Sequence, residues 1–382
     1  MAPIIKALEC HHATIDSIVI STGQHREMLD QVLTVFKITP SHDLNLMSQN
    51  QSLCQLTNRT VEAMERALAS LRPDLLIVQG DTSTTFAASL AAFYCRVPVA
   101  HVEAGLRSFD KENPFPEEMN RRLTSTLADY HFAPTPLAMD NLLKEGVAPD
   151  RIYMTGNTIV DALAMMIVEG PPISESALDG LNGPGTRMIL VTAHRRENWG
   201  TPLENICLAL AYLVDRYKDV VIVFPVHLNP NVRKTVYRLL GKIPRIHLIE
   251  PLDYMSFLGA MKRATLILTD SGGVQEEAPS FGKPVLVLRK TTERPEASEN
   301  GMARIIGTDV NDVIAGVAEI LDDAALRARM SQGANPYGDG RASSRIVSTL
   351  IGLLNIVPSR PVVDLDDHPI KGFNHKAVAM QP

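Results

Sequence analysis

Short apolar runs recur along this chain and constrain its fold more than any other feature: Asp16–Ile20, Leu75–Val78, Val97–Val102, Met188–Thr192, Val220–Val226, Leu266–Thr269 and Val285–Leu288. They are too short for core helices and rich in Val, Ile and Leu, as buried parallel strands are. Stretches with helical spacing lie between them, among them Ser52–Leu71, Pro116–Ala128, Pro202–Tyr217 and Val310–Arg329. That alternation specifies an α/β protein with doubly wound parallel sheets. At 382 residues and 45% apolar composition, two medium cores are a better expectation than one large one. The stretch from about Glu169 to Arg187 holds Pro171, Pro172 and Gly180-Leu-Asn-Gly-Pro-Gly185. It packs worst, so the domain boundary is expected there. After Leu354 the chain turns to Pro, Asp and His without apolar periodicity, and 357–382 reads as a disordered tail.

Composition narrows the function. Lys plus Arg number 37 against 43 for Asp plus Glu, a balance that gives no electrostatic case for a nucleic-acid partner and favours a small-molecule ligand. Cys10, Cys54, Cys95 and Cys207 are scattered and form no C-x-x-C pair, which suits a reducing cytosol and no metal site. Charged residues and histidines interrupt the first twenty positions, and no run of ~20 apolar residues occurs. A cytoplasmic protein without membrane contact is expected. No G-x-G-x-x-G leads from a strand into a helix and no P-loop motif occurs, so neither a nicotinamide cofactor nor a P-loop nucleotide is supported.

In open α/β sheets ligands bind beyond the carboxyl ends of the strands. Here those positions are polar: Gln79-Gly-Asp-Thr-Ser-Thr-Thr85, His101-Val-Glu-Ala-Gly-Leu-Arg107, Ala193-His-Arg-Arg-Glu-Asn198, Pro225-Val-His227 and Asp270-Ser-Gly-Gly273. The last of these, followed by Val274-Gln-Glu-Glu-Ala278, reads as a strand, a tight turn and a helix start whose free N–H groups can hold a phosphate. Taken alone, Ser271 could equally be an N-cap and the glycines a turn. Asp81 taken alone is an N-cap for Thr82–Ala92, and Glu117 with Glu118 suits a first helical turn after Asn113-Pro-Phe-Pro116. Glu103, between Val102 and Ala104 at a buried strand end, needs a partner. Only together do Asp81, Glu103 and Glu117 become acid/base candidates. His194 and His227 could be structural histidines, but strand ends in a second domain favour function. Arg195, Arg196, Arg289 and Arg294 are counter-charges suited to a diphosphate. These patterns carry the reading as far as a two-domain α/β enzyme that binds a phosphorylated ligand.

At the same positions the sequence resembles the non-hydrolysing UDP-N-acetylglucosamine 2-epimerases. The motifs run in order: Gly23-Gln-His-Arg-Glu-Met-Leu-Asp-Gln-Val32, Gly80-Asp-Thr-Ser-Thr-Thr85, His101-Val-Glu-Ala-Gly-Leu-Arg107, Pro116-Glu-Glu-Met-Asn-Arg121 and Thr155-Gly-Asn157. They continue with His194-Arg-Arg-Glu-Asn198, Pro225-Val-His-Leu-Asn-Pro230, Asp270-Ser-Gly-Gly-Val-Gln-Glu-Glu-Ala-Pro279, Thr291-Thr-Glu-Arg-Pro-Glu296 and Asn335-Pro-Tyr-Gly-Asp-Gly340. The resemblance implies a GT-B-like architecture of two Rossmann-like domains, 1–168 and 169–337, with the active site in the cleft. Asp339–Leu354 would supply a helix crossing back to the first domain. It implies a cytoplasmic homodimer that interconverts UDP-GlcNAc and UDP-ManNAc without cofactor or metal. UDP would leave C1 as the C2 proton is lost, giving 2-acetamidoglucal, and would add back with protonation on the opposite face. Asp81, Glu103 and Glu117 would be the acid/base groups, with His194 near the diphosphate. Phe257, Ser271, Gly272, Gly273, Glu277 and Arg294 would bind substrate, Glu277 taking the ribose hydroxyls. Gln24, Gln51, Glu117, Arg195 and His227 match an allosteric site for a second UDP-GlcNAc, as does the position of Glu27; Glu27 and Asn50 depart from the glutamine and arginine of some members.

The resemblance begins late. Such proteins open with a strand and a Gly-Thr-Arg-Pro-Glu-Ala-Ile-Lys loop ahead of Met-Ala-Pro, whereas this sequence starts at Met1-Ala-Pro3. The first strand and two basic residues near the nucleotide are therefore expected to be missing. Leu252, polar in some members near the uracil, is a smaller departure. Three rivals remain: a GT-B glycosyltransferase, a hydrolysing epimerase that releases free ManNAc, and a catalytically impaired UDP-sugar-binding protein. The three carboxylates in their motifs argue against the first, and the threonine-rich Gly80–Thr85 argues against the second.

Overall fold

The computed structural model describes residues 1–355 apart from 24–25, 49–50, 170–177, 181–184, 291, 293 and 295. The tail expected over 357–382 and most of the expected connection after Glu169 lie outside the described residues, as does Gln24. The described chain divides into two compact units: Met1–Met165 joined by residues 337–355, and Met166–Pro336. No helix among the described residues is long and apolar enough to cross a membrane.

The first unit begins with α1 (Ala2–Glu9), β1 (Ile20–Ser21), α2 (Arg26–Val35), β2 (His42–Asp43) and α3 (Leu53–Leu71). It continues through β3 (Leu76–Gln79), α4 (Ser83–Tyr94), β4 (Val99–Val102), α5 (Glu117–Leu127), β5 (Tyr130–Ala133), α6 (Pro136–Lys144), β6 (Ile152–Met154) and α7 (Thr158–Glu169). Helix α3 starts where the sequence says it should. Ser52 accepts from Gln55 N and the Gln55 side chain reaches back to Ser52 N, closing a capping box. Strands β3, β4, β5 and β6 form a four-stranded parallel sheet in that order. Strands β1 and β2 pair separately, and no described strand joins β1 to β3. The strand expected over Asp16–Ile20 is thus reduced to Ile20–Ser21 with β2 as its one partner, too few ladder bonds to hold a longer segment extended.

The second unit contains β7 (Arg187–Thr192), α8 (Thr201–Arg216), β8 (Val220–Pro225), α9 (Pro230–Leu240), β9 (Ile246–Ile249), α10 (Tyr254–Arg263) and β10 (Leu266–Thr269). It goes on to α11 (Gly272–Glu277), β11 (Val285–Val287), α12 (Glu296–Glu299), β12 (Ala303–Ile305), α13 (Val310–Asp322) and α14 (Ala324–Met330). Its six strands are parallel, in the order β12-β11-β10-β7-β8-β9. Every residue of Met188–Val191 and Leu266–Leu268 is at most 1% exposed, as strands covered on both faces must be. Order reverses between β7 and β10, so the crevice at their carboxyl ends is the topological switch point. The single helix expected over Val310–Arg329 is two, because Asp323 ends α13 and its carboxylate caps α14 by accepting from Leu326 N.

Helix α15 (Ala342–Leu353) returns to the first unit. Its Ile346, Val347, Leu350 and Ile351 pack with Ile4 and Leu8 of α1 and with Ala100, Val102 and Phe132 of the sheet. Buried Asp161 of α7 fixes its start, accepting from Ala342 N, Ser343 N and Ser343 Oγ.

Candidate active site

Two groups of polar residues gather at strand ends, one in each unit. In the first unit, β3 ends at Gly80, whose φ of 76° turns the chain out of the sheet. Its N–H donates to Val102 O, and its carbonyl accepts from buried His101 Nε2 at 2.8 Å. Burial holds the His101 imidazole down to about 3, so it is a neutral donor that pins this turn. Thr82, and not Asp81 as the sequence suggested, caps α4. The Asp81 carboxylate instead accepts from Arg121 Nη2, while its backbone carbonyl accepts from Asn120 Nδ2 at 2.9 Å. Arg121 in turn lies 3.4 Å from Glu118, which is fully buried and also accepts from Ser108 N and Phe109 N. Helix α5 therefore grips Asp81 by both backbone and side chain, and it carries Glu117 at its first position.

Glu103 follows β4 with a φ of 62°. Its carboxylate overhangs Gly80, where an added Cβ would stand 3.6 Å from Oε2. Two residues on, Gly105 has a φ of 90°, and a Cβ there would come 2.1 Å from the Ala138 carbonyl oxygen. The loop holding Glu103 thus requires glycine at 105. Asp81 and Glu103 are brought to adjacent strand ends, and Glu117 to the helix that clamps Asp81. Gln51, from the allosteric expectation, accepts from Arg59 beside α3.

In the second unit, β7 and β10 end side by side, with Thr192 and Thr269 hydroxyls 2.6 Å apart. Asp270, fully buried, closes the gap between the loops that follow: its Oδ2 accepts from His194 N at 2.8 Å, Arg195 N at 2.9 Å and Asn198 Nδ2 at 2.9 Å. His194 stacks on His227, their ring centroids 5.3 Å apart and planes 18° from parallel. Desolvation lowers the His194 pKa, with His227 and Arg195 adding to that and Asp270 opposing it. His227 Nδ1 accepts from Asn229 N, which leaves its Nε2 as the protonated nitrogen.

Ser271, Gly272 and Gly273 follow Asp270 into α11. A Cβ on Gly272 would lie 2.6 Å from Arg294 Nη1, so glycine is needed for the guanidinium to rest on this turn, whereas Gly273 faces open space. Arg294 Nε also donates to buried Glu276, and Arg289 Nε donates to Glu197 at 2.7 Å. These two arginines, read from the sequence as counter-charges for a ligand, each hold a glutamate in the structure. Glu277 accepts from Tyr254 Oη at 2.7 Å, and burial pushes its carboxyl up to about 7. Tyr254 and Phe257 lie three residues apart on α10, hence on one face. Arg195 Nε is buried without a hydrogen-bond partner among the described residues.

Sequence reasoning missed Arg121, Glu118, Asn120, Asp270, Asn198 and Tyr254. All but Tyr254 lie inside or beside motifs that had already drawn notice, but their partners are distant in sequence. No group of three or more His, Cys, Asp or Glu among the described residues is arranged to hold a metal ion.

A Rossmann-like unit with a glycine turn at its switch point, together with a second whose strand ends carry gripped carboxylates, makes a GT-B-like α/β protein. The family model for UDP-N-acetylglucosamine 2-epimerase matches residues 6–351. The chain belongs to the UDP-N-acetylglucosamine 2-epimerase family. It is 51% identical over 358 residues to the Salmonella typhimurium UDP-N-acetylglucosamine 2-epimerase, covering 92% of this chain and 94% of that one. The structure of the S. aureus MnaA–UDP complex superposes with a TM-score of 0.88 at 48% identity, covering 94% of this chain and 95% of the other. The Neisseria meningitidis UDP-GlcNAc 2-epimerase bound to UDP-GlcNAc gives a TM-score of 0.86 at 45% identity, covering 92% of this chain and 96% of that one.

Proposed function

We propose that this protein interconverts UDP-GlcNAc and UDP-ManNAc by the non-hydrolysing route, in the cytoplasm and as a homodimer. The observation that carries the reading is that Asp81 and Glu103 stand at adjacent strand ends and Glu117 opens the helix that grips Asp81, in a chain that belongs to the epimerase family. Membership of relatives solved with UDP and with UDP-GlcNAc supports the nucleotide-sugar ligand. Exposed Phe93 and Tyr94 at the end of α4 support a dimer, since such apolar surface is commonly covered by a second copy.

The C2 proton is not beside a carbonyl, so direct abstraction is out of reach, and elimination solves this. As the C1–O bond to UDP breaks, a base takes the C2 proton and its electron pair forms the C1=C2 bond, giving 2-acetamidoglucal. A UDP oxygen then bonds to C1 while C2 is protonated on the opposite face. Two faces call for two proton-handling groups, drawn from Asp81, Glu103 and Glu117. Unit 2 takes the nucleotide: the Ser271 hydroxyl, the N–H groups of Gly272 and Gly273 and the Arg294 guanidinium take the diphosphate, while the Ser271 N–H is held by Thr269 Oγ1. Phe257 gives apolar contact, and Glu277 accepts from the ribose hydroxyls beside Tyr254. His194 stands by the leaving diphosphate, and Gln24, Gln51, Arg195 and His227 answer to a second nucleotide-sugar. Incubation with UDP-GlcNAc, resolved by ion-exchange chromatography, tests this. UDP-ManNAc accumulating to a fixed ratio supports the reading, whereas free ManNAc with stoichiometric UDP refutes the non-hydrolysing route.

A further inference from the structure

Buried carboxylates normally have both oxygens satisfied, and Asp270 does not. Its Oδ2 accepts three hydrogen bonds, from His194 N, Arg195 N and Asn198 Nδ2. Its Oδ1 has no hydrogen-bond partner among the described residues, although the side chain is fully buried. His194 Nδ1 lies 3.6 Å from it, beyond hydrogen-bond range but within reach of a small rotation of the ring. The backbone of that same histidine is already tied to the other oxygen of the same carboxylate. The ring stacks on His227, and the Trp199 indole N–H donates to the His194 carbonyl at 3.2 Å. So the loop is anchored at His194, Arg195 and Asn198, and one acceptor is left for the His194 imidazole.

We infer that Asp270 is a positioning residue for His194: Oδ2 fixes the loop, and Oδ1 accepts the Nδ1–H when nucleotide diphosphate binds, forming a carboxylate–imidazole dyad that turns Nε2 toward the ligand. The inference rests on the reading of His194 as the group beside the diphosphate. It explains why an uncompensated buried oxygen is kept one residue before the Ser271–Gly273 turn, where its own charge would otherwise repel an anionic ligand. Once Nδ1 is given to Asp270, a protonated imidazole can donate from Nε2 to a phosphate oxygen. The charged and titratable groups facing the ring are Asp270 at the end of β10, His227 beyond β8 and Arg195 on its own loop. Of these Asp270 alone favours the protonated ring, while burial, His227 and Arg195 oppose it. Binding of the diphosphate should therefore take up a proton on His194, and Asp270 should be required for that uptake.

The test follows the His194 ring by NMR titration, with and without UDP, in the wild type and in Asp270→Asn. UDP binding by calorimetry in two buffers of different ionisation enthalpy is measured alongside. In the wild type the His194 midpoint is expected to move to higher pH on adding UDP, with proton uptake. In Asp270→Asn the free-state midpoint is expected to lie lower, uptake to vanish and UDP affinity to fall roughly 10- to 100-fold. Unchanged midpoint and unchanged uptake in Asp270→Asn would reduce Asp270 to a loop brace and overturn the inference. If that variant does not fold, nitrogen-15 shifts of His194 in the UDP-bound wild type decide. Protonated Nδ1 supports the dyad and bare Nδ1 overturns it. Absence of UDP binding by the wild type would refute the nucleotide reading separately, and the free-state midpoints of the two proteins would still decide whether Asp270 controls the ring.

Discussion

Arg121 lies buried in the first unit between two carboxylates. Arg121→Met takes away the cation between Glu118, whose side chain is fully buried, and Asp81, whose side chain is 30% exposed. Breaking a buried pair by deleting one member costs ~3–5 kcal/mol, because the other charge is left uncompensated. Glu118 keeps its two backbone donors, Ser108 N and Phe109 N, which places the loss near the lower end. The half-exposed Asp81 side adds less than ~1 kcal/mol. A loss of about 3 kcal/mol is expected in urea unfolding followed by circular dichroism. The double variant Glu118→Gln/Arg121→Met should recover only part of it: the buried charge is gone, but the amide nitrogen cannot accept from one of the two backbone N–H groups that Glu118 satisfies. Turnover should fall about 100-fold in Arg121→Met, as an unclamped Asp81 loses its geometry. A single variant within ~1 kcal/mol of wild type, or a double variant less stable than the single, would refute this account of the clamp.

Gly105→Ala should lower stability by at least about 2 kcal/mol, read as a drop in melting temperature, because its Cβ would strike the Ala138 carbonyl and φ is positive. Glu277 stays protonated in the folded state up to about 7 while an unfolded carboxyl ionises from its usual 4.5. Stability should then decline as pH rises across that window, by on the order of 3 kcal/mol, and Glu277→Gln should flatten the slope. The ionised form is the better acceptor for ribose hydroxyls, so UDP affinity should rise as pH climbs through 7 in the wild type but not in Glu277→Gln. His101 has the opposite sign: its pKa is about 3 when folded and 6.5 otherwise, so its contribution is present above 6.5 and lost as pH falls toward 3. His101→Gln, which keeps a donor for the Gly80 carbonyl, should resist acid unfolding better in that range.

Strands β7, β8, β10 and β11 of the second unit fall on runs that the sequence displays openly, whereas β9 and β12 do not. Leu266–Thr269 is a strand over the residues its apolar pattern marks, and Met188–Thr192 differs by one residue. The turns at the strand ends were legible where a polar motif directly follows such a run, as with Gly80-Asp81 and Ser271-Gly-Gly273. The contacts that give those motifs their geometry were not legible. Arg121 meets Asp81 across 40 residues and Asp270 meets Arg195 across 75, and only the packing of α5 and the pairing of β7 with β10 create those encounters. Local capping competes at the same sites: Thr82 outranks Asp81 as the N-cap, which leaves Asp81 for Arg121. Asp323 shows the converse, a local cap strong enough to split a helix that periodicity alone would continue.

The central claim is that the C2 proton of the sugar exchanges with solvent while UDP leaves and returns. Proton NMR of UDP-GlcNAc incubated with the protein in D₂O measures this directly. UDP-ManNAc bearing deuterium at C2, with deuterium also entering the recovered UDP-GlcNAc, is the predicted result. UDP-ManNAc that keeps its original C2 proton, or no exchange while UDP still binds, would contradict it.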